Sequence, residues 1–321
     1  MPDRRRTSYR SVLNSGPVAA DQDTVLGRSI AVCNGKGGAG KTSVSAHLAG
    51  AAAASGWRVL AVDLDPQGNL GQDLGYFQAG RSDGGEGLAA AVAHGVPPEP
   101  VREVRPNLDV IPAGEGTERL QDHLYKGWLR SPAGLLRLGE VLAPVAAGYH
   151  LVVFDCPPGD RVLLDAALSA SRFVLIPTQV DDGSVSGLQR VARRFLSVRA
   201  ATNPTLELLG VCLFNVGVGD TRIHAEVRSE LDAALAGVAP VFDAVVRHAR
   251  KASRDMRRRG ELAFEYQQAA ASAVPWYAAP DAAGDRFAGN AAGLAEDYVA
   301  LCTAVLRRVA ERVTAQPVVA A

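Results

Sequence analysis

Four glycines separate a β-prone run from a helix-forming run in the stretch I-A-V-C-N-G-K-G-G-A-G-K-T-S, residues 30–43. Residues 29–33 are mostly apolar, and residues 41–55 are rich in alanine. Glycines let the backbone adopt positive φ, so that successive N–H groups can turn toward one point. The N-terminus of the following helix adds partial positive charge at the same place. The order strand, glycine loop, helix therefore predicts a phosphate-binding loop.

The loop also satisfies the pattern G-x-x-x-x-G-K-[ST], with Gly35, Gly40, Lys41 and Thr42 at the fixed positions. In this pattern the lysine reaches the β- and γ-phosphates and the hydroxyl reaches Mg²⁺. We therefore expect a nucleotide site with Lys41 and Thr42 in these roles. The residues expected to contact the nucleotide are Gly35, Lys36, Gly37, Gly38, Ala39, Gly40, Lys41, Thr42 and Ser43.

A second lysine, Lys36, stands at the start of the loop. The run K-G-G-x-G-K-T-S resembles the deviant Walker A motif of the ParA/MinD superfamily of ATPases, with Ala39 where that family often has valine. The resemblance implies ATP and Mg²⁺ as ligands. It also implies that Lys36 reaches across a homodimer interface to the phosphates held by the partner subunit. The alternative for Lys36 is a solvated loop lysine.

The second candidate site is R-V-L-A-V-D-L-D, residues 58–65, which has the apolar character of a strand buried on both faces. Asp63 and Asp65 lie two apart, so they are expected on one face at the C-terminal end, where open α/β sheets bind ligands. The run D-x-D-P-Q-G-N resembles the switch I of the family. The resemblance implies that Asp65 positions the attacking water and that Asp63 lies near the Mg²⁺ shell. The alternative is a pair of carboxylates that cap a turn before Pro66.

The third candidate site is Y-H-L-V-V-F-D-C-P-P-G, residues 149–159, where four apolar residues lead to Asp155 and two prolines end the strand. An aspartate in this position can hold Mg²⁺. The run D-C-P-P-G resembles the Walker B and switch II segments of the family. It implies metal roles for Thr42, Asp63 and Asp155, and catalytic roles for Lys36, Lys41 and Asp65.

Other apolar runs predict further strands at residues 108–113, 172–179, 206–215 and 241–246. Helices are predicted at residues 87–94, 116–147 with a break near 131–132, 222–235 and 289–313. Residues 78–107 are interpreted as a surface excursion around the first of these helices. Asn215, at the end of a strand, is a candidate for the adenine edge, and a plain turn residue is the alternative. The alternation predicts one α/β domain of P-loop NTPase type, with a mostly parallel twisted sheet and helices on both faces.

Basic residues concentrate in R-H-A-R-K-A-S-R-D-M-R-R-R, residues 247–259, although the whole chain has 34 basic and 34 acidic side chains. A neutral chain has no overall attraction to nucleic acid, so any such binding needs a local patch. A dense basic surface suits sequence-independent phosphate contacts. The candidates for nonspecific double-stranded DNA binding are Arg247, Arg250 and Arg254 in this run, together with Arg222 and Lys251, to which the resemblance to ParA relatives assigns DNA-binding positions. The alternative is a solvated basic face or a set of dimer ion pairs.

Composition sets further limits. The four cysteines are far apart and form no C-x-x-C pair, which predicts neither a disulfide nor a metal site at cysteine. No signal peptide and no run of about eighteen apolar residues is present. We therefore expect a cytoplasmic protein, and the resemblance to the ParA/MinD superfamily implies association with the nucleoid. Residues 1–27 are predicted to be a flexible basic arm, residues 28–313 the ATPase domain, and residues 314–321 a disordered tail.

The resemblance implies an ATPase that drives DNA segregation. ATP would close a sandwich dimer that binds DNA, and slow hydrolysis, stimulated by a ParB-like centromere-binding partner, would release it. The first alternative is a MinD-like ATPase that acts at a membrane or positions another cargo, although the C-terminal helix lacks the exposed aromatic residues expected of a membrane anchor. The second alternative is a scaffold that binds nucleotide and does not hydrolyse it.

Overall fold

The computed structural model describes residues 26–180, 184–217, 221–273 and 287–314. Residues 1–25 of the predicted arm and residues 315–321 of the predicted tail lie outside these ranges. The strands are β1 Ser29–Val32, β2 Val59–Asp63, β3 Val101–Arg105, β4 Leu108–Ile111, β5 Leu151–Asp155, β6 Phe173–Gln179, β7 Glu207–Val216 and β8 Val246–Arg247.

The helices alternate with these strands along most of the chain. They are α1 Lys41–Ala54, α2 Asn69–Asp73, α3 Glu86–His94, α4 Gly116–Arg130, α5 Arg137–Ala146, α6 Arg161–Ala170, α7 Ser184–Ala201, α8 Thr221–Leu235, α9 Arg250–Arg259, α10 Ala263–Ser272 and α11 Ala291–Thr314. A 3₁₀ helix, Pro132–Leu136, separates α4 from α5, at the predicted break.

The strands form one sheet in the order β3-β4-β2-β5-β1-β6-β7-β8. Among the described strands only the β3–β4 pair is antiparallel. The chain passes from β1 through α1 to β2, and β5 later inserts between these two strands. This order brings the carboxyl ends of β2, β5 and β1 side by side, although long segments of chain separate them.

Two apolar layers cover the sheet, one on each face. The first is built around α1, α10 and α11, and the second around α3 to α7. The predicted α/β fold of P-loop NTPase type is confirmed. The apolar positions of the C-terminal helix, such as Leu294, Leu301 and Val305, are buried in the first layer, as predicted. The four cysteines are free and buried.

The structure corrects three sequence-based expectations. Residues 78–107 are more than a surface excursion, because Leu88 and Val92 of α3 are buried and β3 forms an edge strand. The sequence V-R-E-V-R gave no strand signal, since an edge strand with half-exposed residues needs no apolar run. Strand β2 ends at Asp63, two residues earlier than predicted. The strand predicted at residues 241–246 is mostly absent, because β8 spans only Val246–Arg247 and Val241 makes one isolated bridge to Val211. Among the described helices, none is long and apolar enough to span a bilayer.

Gly260 allows a close backbone contact between the end of α9 and the residues after α2. It follows α9 with φ 63°, and a Cβ atom there would lie 2.3 Å from the Cα atom of Gly75. Gly237 has φ 78° but no atom within 4 Å of the same position. The two glycines share the left-handed conformation and differ in the space around them.

We therefore expect Gly260→Ala to reduce the free energy of unfolding by about 2–4 kcal/mol, because a left-handed alanine is strained and its methyl group overlaps backbone. The matched variant Gly237→Ala should cost only about 1 kcal/mol, from backbone strain alone. Urea denaturation measures both values. Equal losses would contradict the close contact between Gly75 and Gly260.

Candidate nucleotide site

The phosphate loop lies at the carboxyl end of β1 and contains two glycines with positive φ, Gly38 at 75° and Gly40 at 90°. A Cβ atom at Gly40 would lie 2.4 Å from the ring of Phe214, so only glycine fits there. Ala39 and Lys41 are buried, whereas Gly37 and Gly38 are exposed at the tip. The loop is therefore anchored at its base and accessible at its tip.

Asn34 anchors the start of the loop, a role that sequence analysis missed. Its buried side-chain amide donates to the carbonyl oxygen of Pro177 (2.7 Å) and to the hydroxyl of Thr178 (3.2 Å), both in β6. Its Oδ1 atom accepts the backbone N–H of Lys36 at 3.0 Å. A polar residue at the end of an apolar strand was the only signal for this anchor in the sequence.

The two loop lysines occupy different environments. Lys41 Nζ is buried and donates to the backbone carbonyl of Lys36 at 3.0 Å. Burial lowers the pKa of Lys41, and the negative charge of Asp155 opposes that shift. Lys36 is half-buried, next to the exposed loop tip. Lys41 therefore lies inside the site, and Lys36 lies at its rim.

Three carboxylates lie beside the loop, at the ends of β2 and β5. Asp63 and Asp155 are directly opposite each other in neighbouring strands, and both are fully buried. Asp65 lies in the turn after β2, where its N–H donates to Asp63 Oδ1 at 2.9 Å. Asp65 Oδ1 in turn accepts the N–H of Gln67 at 3.0 Å. The two aspartates of this motif are thus brought together by a side-chain turn rather than by strand alternation.

Two of the four carboxylate oxygens of Asp63 and Asp155 have no hydrogen-bond partner among the described residues. Asp155 Oδ1 accepts from the hydroxyl of Ser45 at 3.0 Å, and Thr42 also hydrogen-bonds this carboxylate. Asp63 Oδ2 and Asp155 Oδ2 are buried without any hydrogen-bond partner. Buried oxygens of this kind are costly unless a cation or a proton satisfies them. Mg²⁺ prefers oxygen ligands, so Thr42, Asp63 and Asp155 are chemically suited to hold it.

Burial dominates the electrostatics of this pair. It raises the pKa of Asp155 to about 7. Burial and the neighbouring Asp155 raise the pKa of Asp63 well above its usual range. Without a cation, part of the pair therefore carries protons near neutral pH, and a divalent cation would displace them.

A cavity of about 490 Å³ continues from the loop toward α9 and α11. Gly38 and Ser43 line one end, and Asn215 and His248 line another side. Asn215 is exposed with φ 62°, and its Oδ1 atom lies 2.6 Å from His248 Nδ1. The volume is in the range of small-molecule sites. The cavity thus places Asn215 beside a histidine that sequence analysis did not single out.

The predicted DNA-contacting residues have different surroundings. Arg222 is exposed and pairs with Glu226. Arg247 pairs with Asp297 of α11 through Nε (2.6 Å) and the second amino group (2.7 Å). The following candidates, on α9, are exposed and form no ion pair with another described residue: Arg250, Lys251 and Arg254. Arg250 and Arg254 also line the cavity, and Lys251 does not.

Comparisons with known proteins agree with this geometry. A family model described as an AAA domain matches residues 27–208. The chain is similar to the chromosome partitioning protein ParA of Caulobacter vibrioides, 37% identical over 192 residues, which are 58% of this chain and 68% of that protein. The fold is similar to that of pnob8 ParA (TM-score 0.68, 18% identity, 89% of this chain and 99% of that chain).

A further similar structure is cobyrinic acid a,c-diamide synthase from Mycobacterium smegmatis, with bound ATP analogue and magnesium. It is 26% identical, with a TM-score of 0.58, and the match covers 72% of this chain and 91% of that one.

The raised pKa of Asp155 predicts a pH-dependent cost to stability. The usual value is 3.8 and the folded value is about 7, so the folded state favours the protonated carboxyl. This contribution to stability is complete below about pH 4 and is lost as the pH rises through 7. Asp155→Asn cannot ionise. In EDTA at pH 8 the variant should therefore exceed the wild type in free energy of unfolding, on the order of 3 kcal/mol.

The difference should vanish near pH 4, and urea titrations at several pH values measure it. The matched variant Asp122→Asn removes an exposed carboxylate from α4 and should follow the wild type at each pH. A constant difference between Asp155→Asn and the wild type would contradict the assignment.

Proposed function

Because the chain belongs to the AAA domain family, as a ParA-like ATPase of the ParA/MinD superfamily, we propose that it is an ATP-driven switch in DNA segregation. The observation that carries the proposal is the meeting of three loops at one edge of the sheet. Lys41 follows β1, Asp65 follows β2, and Asp155 ends β5. A buried lysine, buried carboxylates with unpartnered oxygens, and a glycine cradle are the parts that phosphoryl transfer needs.

Each residue has a role in this proposal. Lys41 and the loop amides hold the phosphates of ATP, and Asn34 keeps the loop in place. Asp155, Asp63 and Thr42 hold Mg²⁺, which neutralises charge on the phosphate oxygens when it is bound. Asp65 orients the attacking water and accepts its proton. Lys36, reaching from the partner subunit, balances the charge that develops in the transition state.

Dimerisation would join the two subunits through their loop tips. Gly37 and Gly38 are exposed, and a Cβ atom at either would meet no atom within 4 Å, so the tip can accept a second copy. A twofold axis would also bring the two copies of α9 into one basic surface. Four of its basic residues are exposed and form no ion pair with other described residues, which supports phosphate binding by Arg250, Lys251, Arg254 and Arg258.

A ParB-like partner would then stimulate hydrolysis and end DNA binding. The partitioning role of the Caulobacter relative supports this cycle. The alternative, a MinD-like ATPase at a membrane, would require an amphipathic surface. The apolar residues of α11 do not supply one, since Leu294, Tyr298 and Val305 are buried in the core. Positioning of a different cargo on DNA uses the same cycle and differs only in the partner.

Nucleotide-dependent binding to random-sequence duplex DNA tests the proposal. We expect binding with ATP and little with ADP or without nucleotide, and we expect it to weaken as salt increases. The double variant Arg250→Gln/Lys251→Gln should weaken binding to all sequences alike and lower the salt slope by about two units in a log–log plot.

Fluorescence anisotropy at several salt concentrations measures both effects. Arg130→Gln, which changes an exposed arginine of α4 on the other face of the sheet, serves as the control. ATP-dependent liposome binding without DNA binding would favour the membrane alternative, and an unchanged slope in the double variant would place the DNA surface elsewhere.

Hydrolysis tests the role of Asp65. Asp65→Asn keeps the side-chain oxygen that accepts the N–H of Gln67, so the turn should remain intact. We expect ATP affinity within about threefold of the wild type, and partner-stimulated turnover reduced by at least about 100-fold, because the variant cannot accept a proton. Phosphate release with and without the partner measures turnover. Wild-type turnover by the variant would refute this role, and no turnover by the wild type would favour the scaffold alternative.

A further inference from the structure

One carboxylate connects the phosphate-loop helix to the basic helix. Asp73, at the end of α2, is mostly buried and bonds in two directions. Its Oδ1 atom accepts from Nε of Arg257 in α9 at 2.6 Å. Its Oδ2 atom accepts from the hydroxyl of Ser43 in α1 at 3.2 Å. Asp73 is therefore a direct link between the nucleotide site and the helix that carries the basic surface.

The Ser43 end of this link lies beside the phosphate loop. Ser43 lies in the first turn of α1, next to Thr42, and is among the residues predicted to contact phosphate. A hydroxyl has a single proton to donate. If Ser43 donates to a phosphate oxygen, it cannot also donate to Asp73. Occupancy of the loop would then leave Asp73 bonded to Arg257 and no longer to Ser43.

The residues after α2 and the end of α9 are also held together by hydrogen bonds to backbone carbonyls and by a direct backbone contact. Arg105 donates to the carbonyl oxygens of Leu74 and Gly260, both at 2.9 Å. Gly75 and Gly260 are in direct backbone contact. Since α2 follows the Asp65 turn, a displacement of this turn would move α2 and the end of α9 together. The residues after α2 are packed so closely against the end of α9 that a shift of one displaces the other.

Helix α9 presents different residues to the nucleotide cavity and to solvent. Arg257 lines the cavity and is half-buried, whereas Lys251 and Arg258 are exposed and do not line it. Ala252 and Met256 pack into the core. A rotation or shift of α9 that follows a change at Arg257 would therefore reposition the exposed basic residues.

We infer that Asp73 couples nucleotide occupancy to the position of α9. Asp73 bonds both Ser43 and Arg257 and so joins α1 to α9; when ATP accepts the Ser43 hydroxyl, the bond between Ser43 and Asp73 breaks and the basic surface is repositioned. The inference rests on the proposed function only in naming DNA as what this surface binds. The coupling itself is independent of DNA.

Hydrogen exchange measures the coupling without DNA. In the wild type, Mg²⁺–ATP should change the exchange rates of residues 250–260 at least about fivefold, and it should slow exchange in residues 35–45. In Asp73→Asn, which keeps the shape and loses the charge, residues 35–45 should still respond and residues 250–260 should change less than twofold. An equal change in the exchange rates of residues 250–260 in the variant and the wild type would overturn the inference. So would exchange rates of these residues in the wild type that do not change when Mg²⁺–ATP is added.

Two further variants guard against a merely structural effect. Arg257→Gln alters a partly exposed side chain, and it should lose the α9 response to the same degree as Asp73→Asn. The double variant should lose no more than either single one, because one contact is broken in all three. Additive losses would overturn the inference. Thermal unfolding checks that each variant is folded.

DNA binding separates this inference from the proposed function. The ratio of DNA affinities with ATP and ADP should fall at least about fivefold in Asp73→Asn, a typical coupling strength. Arg258→Gln should weaken DNA binding equally with both nucleotides and leave the ratio unchanged. If the wild type binds no DNA but α9 still responds to ATP through Asp73, the segregation proposal fails and the coupling stands. An unchanged ratio in Asp73→Asn overturns the coupling alone.

Discussion

The insertion of β5 between β1 and β2 is the constraint on which the rest of the site depends. It places Asp155 directly opposite Asp63 and beside the loop that carries Lys41. Three charged groups thus share a buried volume at the edge of the sheet. Burial of charge is tolerated only when opposite charge or hydrogen bonds compensate for it. The site is therefore chemically suited to a divalent cation, which would satisfy the oxygens that the protein leaves unpaired.

The groups at this edge of the sheet lower the stability of the fold, and the apolar core raises it. Unpartnered oxygens at Asp63 and Asp155 and left-handed glycines in the loop are costs of preorganisation. The compensating interactions lie below, in strands that are buried on both faces and in the two apolar layers. Asn34 ties the costly loop to that rigid base. The preorganised groups therefore need not move far to bind phosphate.

The contacts among α1, α2 and α9 connect this edge of the sheet to the basic helix. Asp73 and Arg105 reach across elements that are distant in sequence and fix their relative positions. By the coupling that we infer, a change in the hydrogen bond of the Ser43 hydroxyl alters the position of the basic residues on α9.

The sequence by itself determined the local features. The glycine loop, the apolar strands that lead to Asp63 and Asp155, and the C-terminal helix were all predictable, because each depends on a continuous stretch of chain; only the end of β2 was placed two residues too late. A resemblance to the ParA/MinD superfamily then assigned roles to those residues. Edge strand β3 escaped detection, since it is half exposed and lacks an apolar run.

Only the tertiary structure decided which groups meet. Ser45 holds Asp155 from 110 positions away, and Arg257 reaches Asp73 across 184 positions. Arg247, one of several similar arginines in the sequence, is distinguished by its pair with Asp297. No local pattern encodes such contacts, because the order of strands in the sheet, rather than spacing along the chain, sets the distance between these side chains.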